Sequence, residues 1–473
     1  MKTASWFIVI FILAINCNAA ALQKGISDIN GQTAVEVTVY NSNIGLVKDQ
    51  RNIRLAKGLQ ELQFMDVASQ IIPTSVSIKS LITQDSLNVI EQNYEYDLLS
   101  PQKLLDKYVG KEVKLFTKNP YTDKEEIVTA KILSNNAGTP VFQVGKDITF
   151  GHPGRIIFSE IPENLISKPT LVWLLDNKLR DDQKIEVRYL TNGINWRASY
   201  VMVLNTTDDK AELSGWVTID NKSGAAYKNA RLKLVAGDIQ RVEEIQPRRD
   251  RVPLMAVAAE AKTQFAEQEF FEYHIYTLER HADLKDNQTK QISLLEAHDI
   301  PLKKEFVFYG AEYYYRSKHG ELVSNQKVPV FIEFSNKKEN NLGMPLPKGI
   351  IRVYKYDHDK SLQLVGENNI QHTPKNENIR IKLGDAFDVA ASRKQTDWQK
   401  LADKVYEAAF EISIRNHKKE DIVVKVIEPI PGDWKVIQAS HEFKKVDART
   451  IAFDVAATKD KEVKLSYRVM LKF

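Results

Sequence analysis

Apolar and polar residues alternate one by one along most of this chain, and this period of two is the strongest constraint on its fold. The segment "KIEVRYL" sets Ile185, Val187 and Tyr189 against charged neighbours, and the pattern recurs in "NIRIKLGD" and "EVKLSYRVMLKF". Successive side chains of a strand point to opposite faces, so the pattern is typical of strands with one buried face. We therefore predict an all-β protein.

The spacing of turn residues divides the chain into tandem modules. Short strands with Gly and Asn turns predict an N-terminal β-sandwich module over 22–97. Within 98–165, Ser100 and Pro101 fit the cap and first turn of a short helix, and brief strands predict a small SH3-like β-barrel module. The remainder, 166–473, has more strand patterns than one sandwich of about seven strands can use, and predicts a double β-sandwich.

The Trp, Arg, Ser and Tyr residues of the stretch "YLTNGINWRASYVMVL", residues 189–204, could serve either catalysis or the folded core. Asn192-Gly193 is a strong signal for a two-residue hairpin turn. In the following strand Trp196 and Tyr200 share one face, while Arg197 and Ser199 point to the other. We therefore predict that the two aromatic residues are core anchors.

Two segments depart from the alternating pattern. The insertion 240–269 carries a basic cluster, Arg248, Arg249 and Arg251, which is either an interaction segment or a solvated linker. A second helix is predicted over "TDWQKLADKVYEA", Thr396–Ala408.

The N-terminus predicts export. Lys2, an apolar run from Trp6 to Ile15 and small residues at Ala19 to Ala21 are typical of a signal peptide, here 1–21. The single cysteine, Cys17, lies within it, and acylation at Cys17 is the alternative to plain cleavage. Cleavage beyond Cys17 leaves a chain without thiols, which excludes disulfides and Cys-ligated metal sites. No later apolar run reaches the ~18 residues of a transmembrane helix.

Charge and motifs exclude several classes of function. The 66 basic and 62 acidic residues leave a net charge of +4, too weak a field for a dedicated nucleic-acid binder. The chain has no complete phosphate-binding loop, no G-x-S-x-G and no H-E-x-x-H motif. No catalytic residue and no cofactor is therefore assigned.

Two polar clusters are candidate sites. Asp357, His358 and Asp359 combine metal-ligand residue types, although the same residues are typical of a solvated hairpin turn. Asp385 and Asp388, followed by Arg393 and Asp397, carry the carboxylates that general acid/base chemistry requires, with an ion-paired loop as the alternative.

Several motifs in the same order resemble a known bacterial family. "VRYLTNGINWRASYVMVLN", "LGMPLPKGIIRVYKYD" and "GDAFDVAASRK" resemble the family of domain of unknown function 4139 over about 166–473. The stretch 34–80 is loosely similar to the leading domain of mucoidy-inhibitor-type proteins, but this chain lacks their coiled-coil insert. The resemblance implies a secreted, β-rich envelope protein and supplies no catalytic residues.

These observations predict a non-enzymatic binding or assembly module in the periplasm or at the surface of a Gram-negative bacterium. Its partner would be an envelope protein or glycan, bound through sheet edges or the 240–269 insertion. The alternative is an envelope polysaccharide or peptidoglycan hydrolase that uses carboxylates such as Asp385 and Asp388.

Overall fold

The all-β class is confirmed in a computed structural model of the chain. The structure describes residues 23–83, 85–118, 121, 123–136, 138–151, 154–162, 165–179, 181–237, 240 and 264–473. Strands make up 67% and helices 5%, a balance that places the protein in the all-β class. The predicted signal 1–21 with Cys17, and the basic cluster Arg248, Arg249 and Arg251, lie outside the described residues.

In the described residues of the first part of the chain, one α-helix lies among the strands. The strands are β1 (Gln23–Ser27), β2 (Gln32–Tyr40), β3 (Ile44–Leu55), β4 (Gly58–Met65), β5 (Ser77–Ser80), β6 (Leu87–Glu95), β7 (Glu112–Lys118), β8 (Glu125–Ser134), β9 (Val141–Val144), β10 (Asp147–Phe150), β11 (Arg155–Ile157), β12 (Thr170–Asn177) and β13 (Asp181–Asn192), and helix α1 is Pro101–Lys107.

The second part has longer strands. They are β14 (Ile194–Leu204), β15 (Lys210–Asn221), β16 (Tyr227–Ala236), β17 (Phe265–Phe270), β18 (Tyr273–Leu278), β19 (Ala282–Leu284), β20 (Gln288–Tyr309), β21 (Glu321–Ser335), β22 (Gly349–Tyr356), β23 (Leu362–Ile370), β24 (Asn378–Ala402), β25 (Val405–Asn416), β26 (Ile422–Pro429), β27 (Asp433–Ala439), β28 (Phe443–Asp447), β29 (Thr450–Ala457) and β30 (Lys461–Lys472).

The chain divides into two compact units. The first comprises the described residues of 1–36, 46–192 and 223–226, and the second comprises those of 37–45, 193–222 and 227–473. The finer division predicted at residues 97 and 165 stays a prediction.

The first unit contains a four-stranded sheet in the order β1-β4-β12-β6. Trp173 of β12 is fully buried and meets the Phe64 ring edge-on, with 5.8 Å between ring centroids. The guanidinium of Arg51 lies 3.6 Å from the Phe64 centroid and is ion-paired with Asp49 at 2.8 Å. Trp173, Phe64 and Arg51 can be buried together because the two rings pack edge to face and the charge of Arg51 is paired.

A separate small core lies between helix α1 and a five-stranded sheet. The Ser100 side chain accepts a hydrogen bond from the Lys103 backbone N–H, which confirms the predicted cap and the start of the helix at Pro101. The sheet has the order β10-β9-β8-β7-β11 and is not closed into a barrel, which corrects the predicted SH3-like barrel to an open sheet. Its two edge strands have only four and three residues, too short a ladder to close on each other.

The second unit is built on a thirteen-stranded sheet in which β14 lies between β22 and β15. Every second residue of β14 from Ile194 to Leu204 is buried, which confirms the predicted inward face of Trp196 and Tyr200. The predicted hairpin at Asn192-Gly193 is wrong, because β14 pairs with β15 and, in parallel, with β22. Gly193, with φ of 79°, therefore turns the chain out of β13 without returning it along β13.

Two buried tyrosines fix the Pro-rich segment that leads into β22. The hydroxyl of Tyr200 donates to the Pro347 carbonyl at 2.7 Å, and that of Tyr276 donates to the Pro345 carbonyl at 3.0 Å. Burial raises the pKa of both hydroxyls well above the ordinary value, so both remain donors at neutral pH. The segment thereby positions Gly349, where β22 begins beside Ala198.

The helix predicted over Thr396–Ala408 is wrong. These residues form the end of β24, a tight turn and the start of β25, whose antiparallel register runs from Val389–Asn416 to Ala402–Val405. Lys404 in the turn has φ of 58°, which a continuing helix does not permit. Tertiary pairing thus overrides a locally helical composition.

Among the described residues, no helix is both long enough and apolar enough to cross a membrane.

Candidate functional site

A proline forces the local structure on which the candidate site is built. Pro329 of β21 pairs with Asp385 and Lys327 pairs with Ala390, so residues 386–389 of β24 lie opposite Val328 alone. Proline has no N–H to donate into the ladder and is tolerated within sheets at bulges. The bulge pushes Phe387 outward, where 84% of its surface is exposed. Lys327 donates to the Phe387 carbonyl, and its ammonium nitrogen lies 5.0 Å from the centroid of the Phe387 ring.

A carboxylate held by two lysines lies in the same cleft. Asp208, in the turn after β14, accepts from Lys304 Nζ at 2.7 Å and from Lys355 Nζ at 2.5 Å. Burial tends to raise the pKa of Asp208, but the hydrogen bonds and charges of the two lysines outweigh burial and hold it below its ordinary value. The carboxylate is therefore ionised at neutral pH and keeps both ammonium groups in place.

The turn that carries Asp208 is closed by its own side chains. Asn205 Oδ1 accepts the backbone N–H groups of Asp209 and Lys210, at 3.1 and 3.2 Å. Asn205 Nδ2 in turn donates to the Asp209 carboxylate at 2.6 Å. Asparagine commonly closes turns in this way, and here it fixes where Asp208 projects.

Two clefts adjoin at Leu204, Thr206 and Lys355, which line both of them. We call their union the Lys355 groove. One cleft, of about 400 Å³, is also lined by Tyr356, and the other, of about 690 Å³, is also lined by Phe387. Tyr356 is 53% exposed, so each arm of the groove presents an accessible aromatic ring. A concave site with apolar walls and a few placed polar groups is the usual form of a ligand site.

Most charges of the Lys355 groove are already paired. Lys210 lies 3.2 Å from Asp299, and Lys418 lies 2.9 Å from Glu420. The lining includes six acidic residues (Asp208, Glu212, Asp299, Asp385, Asp388 and Glu420) and four basic ones (Lys210, Lys304, Lys355 and Lys418). Such pairs offer donors and acceptors side by side with little net charge, which suits a neutral ligand rich in hydroxyl groups.

Asp385 and Asp388, the two carboxylates singled out in the sequence, both line the larger cleft. Asp385 is exposed and lies 3.1 Å from Lys382 Nζ, and Asp388 is also exposed. Neither side chain has the burial that commonly adapts a carboxyl group to general acid/base work. Their position on the bulge suits contact with a ligand.

Arg393 and Asp397 do not share that cleft. Arg393 is fully buried, donates to Glu428 and donates to the Tyr309 carbonyl at 3.0 Å. Tyr315 donates to Glu428 at 3.1 Å, and burial raises the pKa of Glu428 despite the adjacent guanidinium. Asp397 instead accepts from Arg468 at 2.9 Å. The buried pair belongs to the core, so the sequence cluster of four residues is separated in space.

Asp357, His358 and Asp359 lie in the turn between β22 and β23, as predicted. Asp357 Oδ1 accepts the backbone N–H groups of Asp359 and Ser361, at 3.0 and 2.9 Å, and the His358 side chain is fully exposed. In the part of the chain that the structure describes, no three His, Cys, Asp or Glu side chains converge as a metal site. Here Asp357 closes a turn.

Sequence reasoning missed the residues that organise the groove. Asp208 is 96 residues from Lys304 and 147 from Lys355 along the chain, so no local motif joins them. Pro329 inside the alternating run "VPVFIEF" was the one available signal, because a proline there predicts a bulge in the paired strand.

The comparisons with known proteins bear on the unit that carries this groove. A family model described as a domain of unknown function (DUF4139) matches residues 185–471, which include every residue of the Lys355 groove. No curated protein matches the chain.

Proposed function

Because the chain belongs to the DUF4139 family, whose description names no activity, we propose a function from its geometry: the protein is a non-enzymatic binding module of the bacterial cell envelope. The Lys355 groove is its ligand site, and a neutral glycan chain is the ligand. Export to the periplasm or cell surface, inferred from the N-terminal sequence, is part of the proposal.

The observation that carries this proposal is one exposed ring in each of two clefts that share Lys355, a member of the ion-paired cluster with Asp208 and Lys304. Tyr356 and Phe387 offer apolar ring faces on which the C–H groups of a sugar ring can pack. In the same groove Asp208, Lys304 and Lys355 offer acceptors and donors to hydroxyl groups. A strongly anionic or cationic ligand would gain less, because these charges are compensated within the groove.

The test is retention on purified peptidoglycan and calorimetric titration with soluble β-1,4-linked N-acetylglucosamine oligomers. Tyr356→Ala and Phe387→Ala should each weaken binding roughly tenfold, since buried aromatic contacts dominate most interfaces. Phe443→Ala is the matched control, because Phe443 is an exposed aromatic residue that does not line the groove. Binding that is absent, or unchanged in both groove variants, would refute the glycan ligand.

A hydrolase is the second candidate, and one observation favours it: Asp385 and Asp388 line the same cleft. Incubation of the protein with the same oligomers distinguishes the two functions. A binding module leaves the oligomers intact, whereas a hydrolase shortens them and loses that activity in Asp385→Asn or Asp388→Asn.

The alternative to a glycan ligand is an envelope protein that binds to the same groove. Cross-linking in cells that express the chain, followed by identification of what co-purifies, would reveal it. A recurrent protein partner that is lost in Phe387→Ala, without any glycan binding, would replace the glycan in this proposal.

A further inference from the structure

The five-stranded sheet of the first unit has one solvent-exposed face, which we call the outer face. Its inner face packs Val113, Leu115, Ala130, Ile132 and Phe142 around Tyr108. The register places the intervening residues of each strand on the opposite face, where Phe116 pairs with Ile127 and Lys114 pairs with Thr129. An antiparallel sheet with one solvated face usually carries polar residues there.

Several apolar side chains of this outer face are exposed to solvent. Phe150 and Ile148 of β10 are 76% and 69% exposed, and Ile127 of β8 is 59% exposed. Leu133 of β8 and Ile157 of β11 are exposed as well. Isolated apolar residues on a surface are ordinary, but several on one face of one sheet mark an interaction surface.

Basic residues are interspersed among these apolar ones. Lys114 and Lys131 lie on the inner strands β7 and β8, opposite Thr129 and Glu112, and Arg155 stacks 4.7 Å from the Phe116 centroid. With Lys118, which is ion-paired with Asp123 at 3.0 Å, the face has four basic residues against two acidic ones, Glu112 and Glu125. The face therefore complements an anionic partner.

The position of the lysines selects the kind of partner. In protein interfaces lysine is depleted from the central region, because its ammonium group is costly to desolvate. At a lipid surface a lysine lays its alkyl stem along apolar side chains while its ammonium reaches the phosphates. Lys114 and Lys131 lie on inner strands, among the exposed apolar residues, which fits the second arrangement.

We propose that the outer face of this sheet docks on the surface of an anionic phospholipid bilayer. Phe150, Ile148 and Ile127 enter the headgroup region, and the surrounding lysines and Arg155 contact lipid phosphates. This interaction is peripheral, uses a different unit from the Lys355 groove and does not rest on the glycan proposal.

The experiment is flotation of the purified protein with vesicles of phosphatidylglycerol and phosphatidylethanolamine, and separately with phosphatidylcholine vesicles. Residues 1–21 are omitted, so that the apolar N-terminal run does not contribute. We expect binding to the anionic vesicles that is at least ~10-fold stronger than to phosphatidylcholine and that weakens with added salt.

Two variants test the two parts of the face. Ile148→Ser with Phe150→Ser, and separately Lys114→Glu with Lys131→Glu, should each reduce flotation about tenfold or more. Phe443→Ser with Val446→Ser is the matched control, because it removes another exposed apolar pair, from β28 in the second unit. Circular dichroism and thermal melting verify that each variant is folded, since all the substituted side chains are exposed.

Three results would overturn the proposal. The first is no flotation with anionic vesicles, and the second is equal flotation of the outer-face variants and wild type. The third is a wild-type dimer that becomes monomeric in Ile148→Ser/Phe150→Ser by light scattering, which would identify a second copy as the occupant of the face.

Discussion

Arg393 and Glu428 form an ion pair whose side chains expose no surface to solvent. Removing one partner leaves a buried charge without its counterion, so Arg393→Met should lower the free energy of unfolding by about 3–5 kcal/mol. The double variant Arg393→Met/Glu428→Gln removes both charges, and its new amide oxygen can still accept from Tyr315. Its free energy of unfolding should therefore fall clearly less than that of Arg393→Met. Urea unfolding of wild type and both variants measures this. A double variant as unstable as the single one would contradict the prediction.

Asp208 should make stability depend on pH in the acid range. Its folded-state pKa is lowered, so its contribution is present above the ordinary aspartate pKa of ~3.9 and is lost as the pH falls through the folded-state value. Asp208→Asn should therefore lower stability at neutral pH by roughly 1 kcal/mol. The difference from wild type should shrink below about pH 4. Urea unfolding of wild type and Asp208→Asn between acid and neutral pH tests this prediction. A difference in free energy of unfolding that does not change with pH would show that the Asp208 carboxylate does not cause the pH dependence.

Gly349 should not tolerate a methyl group. A Cβ there would lie 2.3 Å from the backbone oxygen of Ala198, in the parallel pairing of β14 with β22. Gly349→Ala should thus lower the free energy of unfolding by about 1–3 kcal/mol, as overpacking does. Gly320→Ala is the control, because nothing lies within 4 Å of the position that a methyl group would take at Gly320. Equal melting temperatures for the two variants would show that β22 shifts freely away from β14.

The tyrosines that hold the Pro-rich segment should each contribute through one hydroxyl. Tyr200→Phe and Tyr276→Phe leave the buried carbonyls of Pro347 and Pro345 without these donors, at a cost of about 1–2 kcal/mol each. Tyr356→Phe, at an exposed position, should have little effect. Thermal and urea unfolding compare the three. If the buried variants match Tyr356→Phe, these hydrogen bonds do not stabilise the segment.

Local features of the fold could be predicted from the sequence. Alternation identified the buried face of β14, Ser100 and Pro101 identified the start of the helix, and the Asp357 turn lies where its residue types indicate. Each of these depends on neighbours within a few residues. The period of two also predicts the all-β class.

Pairing partners could not be predicted, because a period of two gives the buried face of a strand and not its neighbour. The Asn192-Gly193 signal predicts a hairpin, although β14 pairs in parallel with residues some 150 positions further along, Ala198 with Gly349. The groove could not be predicted for the same reason, since Asp208 meets Lys304 and Lys355 only through the pairing of distant strands. Residues 396–408 have a composition that favours a helix, but they form part of the β24–β25 ladder.

The bulge beside Pro329, opposite Val328, separates two parts of β24: residues 378–385 on one side pair with β21, and residues 390–394 on the other resume that pairing. A residue gained or lost between them alters the wall of the groove while both ladders keep their partners. Elsewhere in a strand the same change would turn every following side chain to the wrong face. A change of length at Ala386–Asp388 would therefore reshape the groove while the pairing of β21 with β24 on both sides is kept.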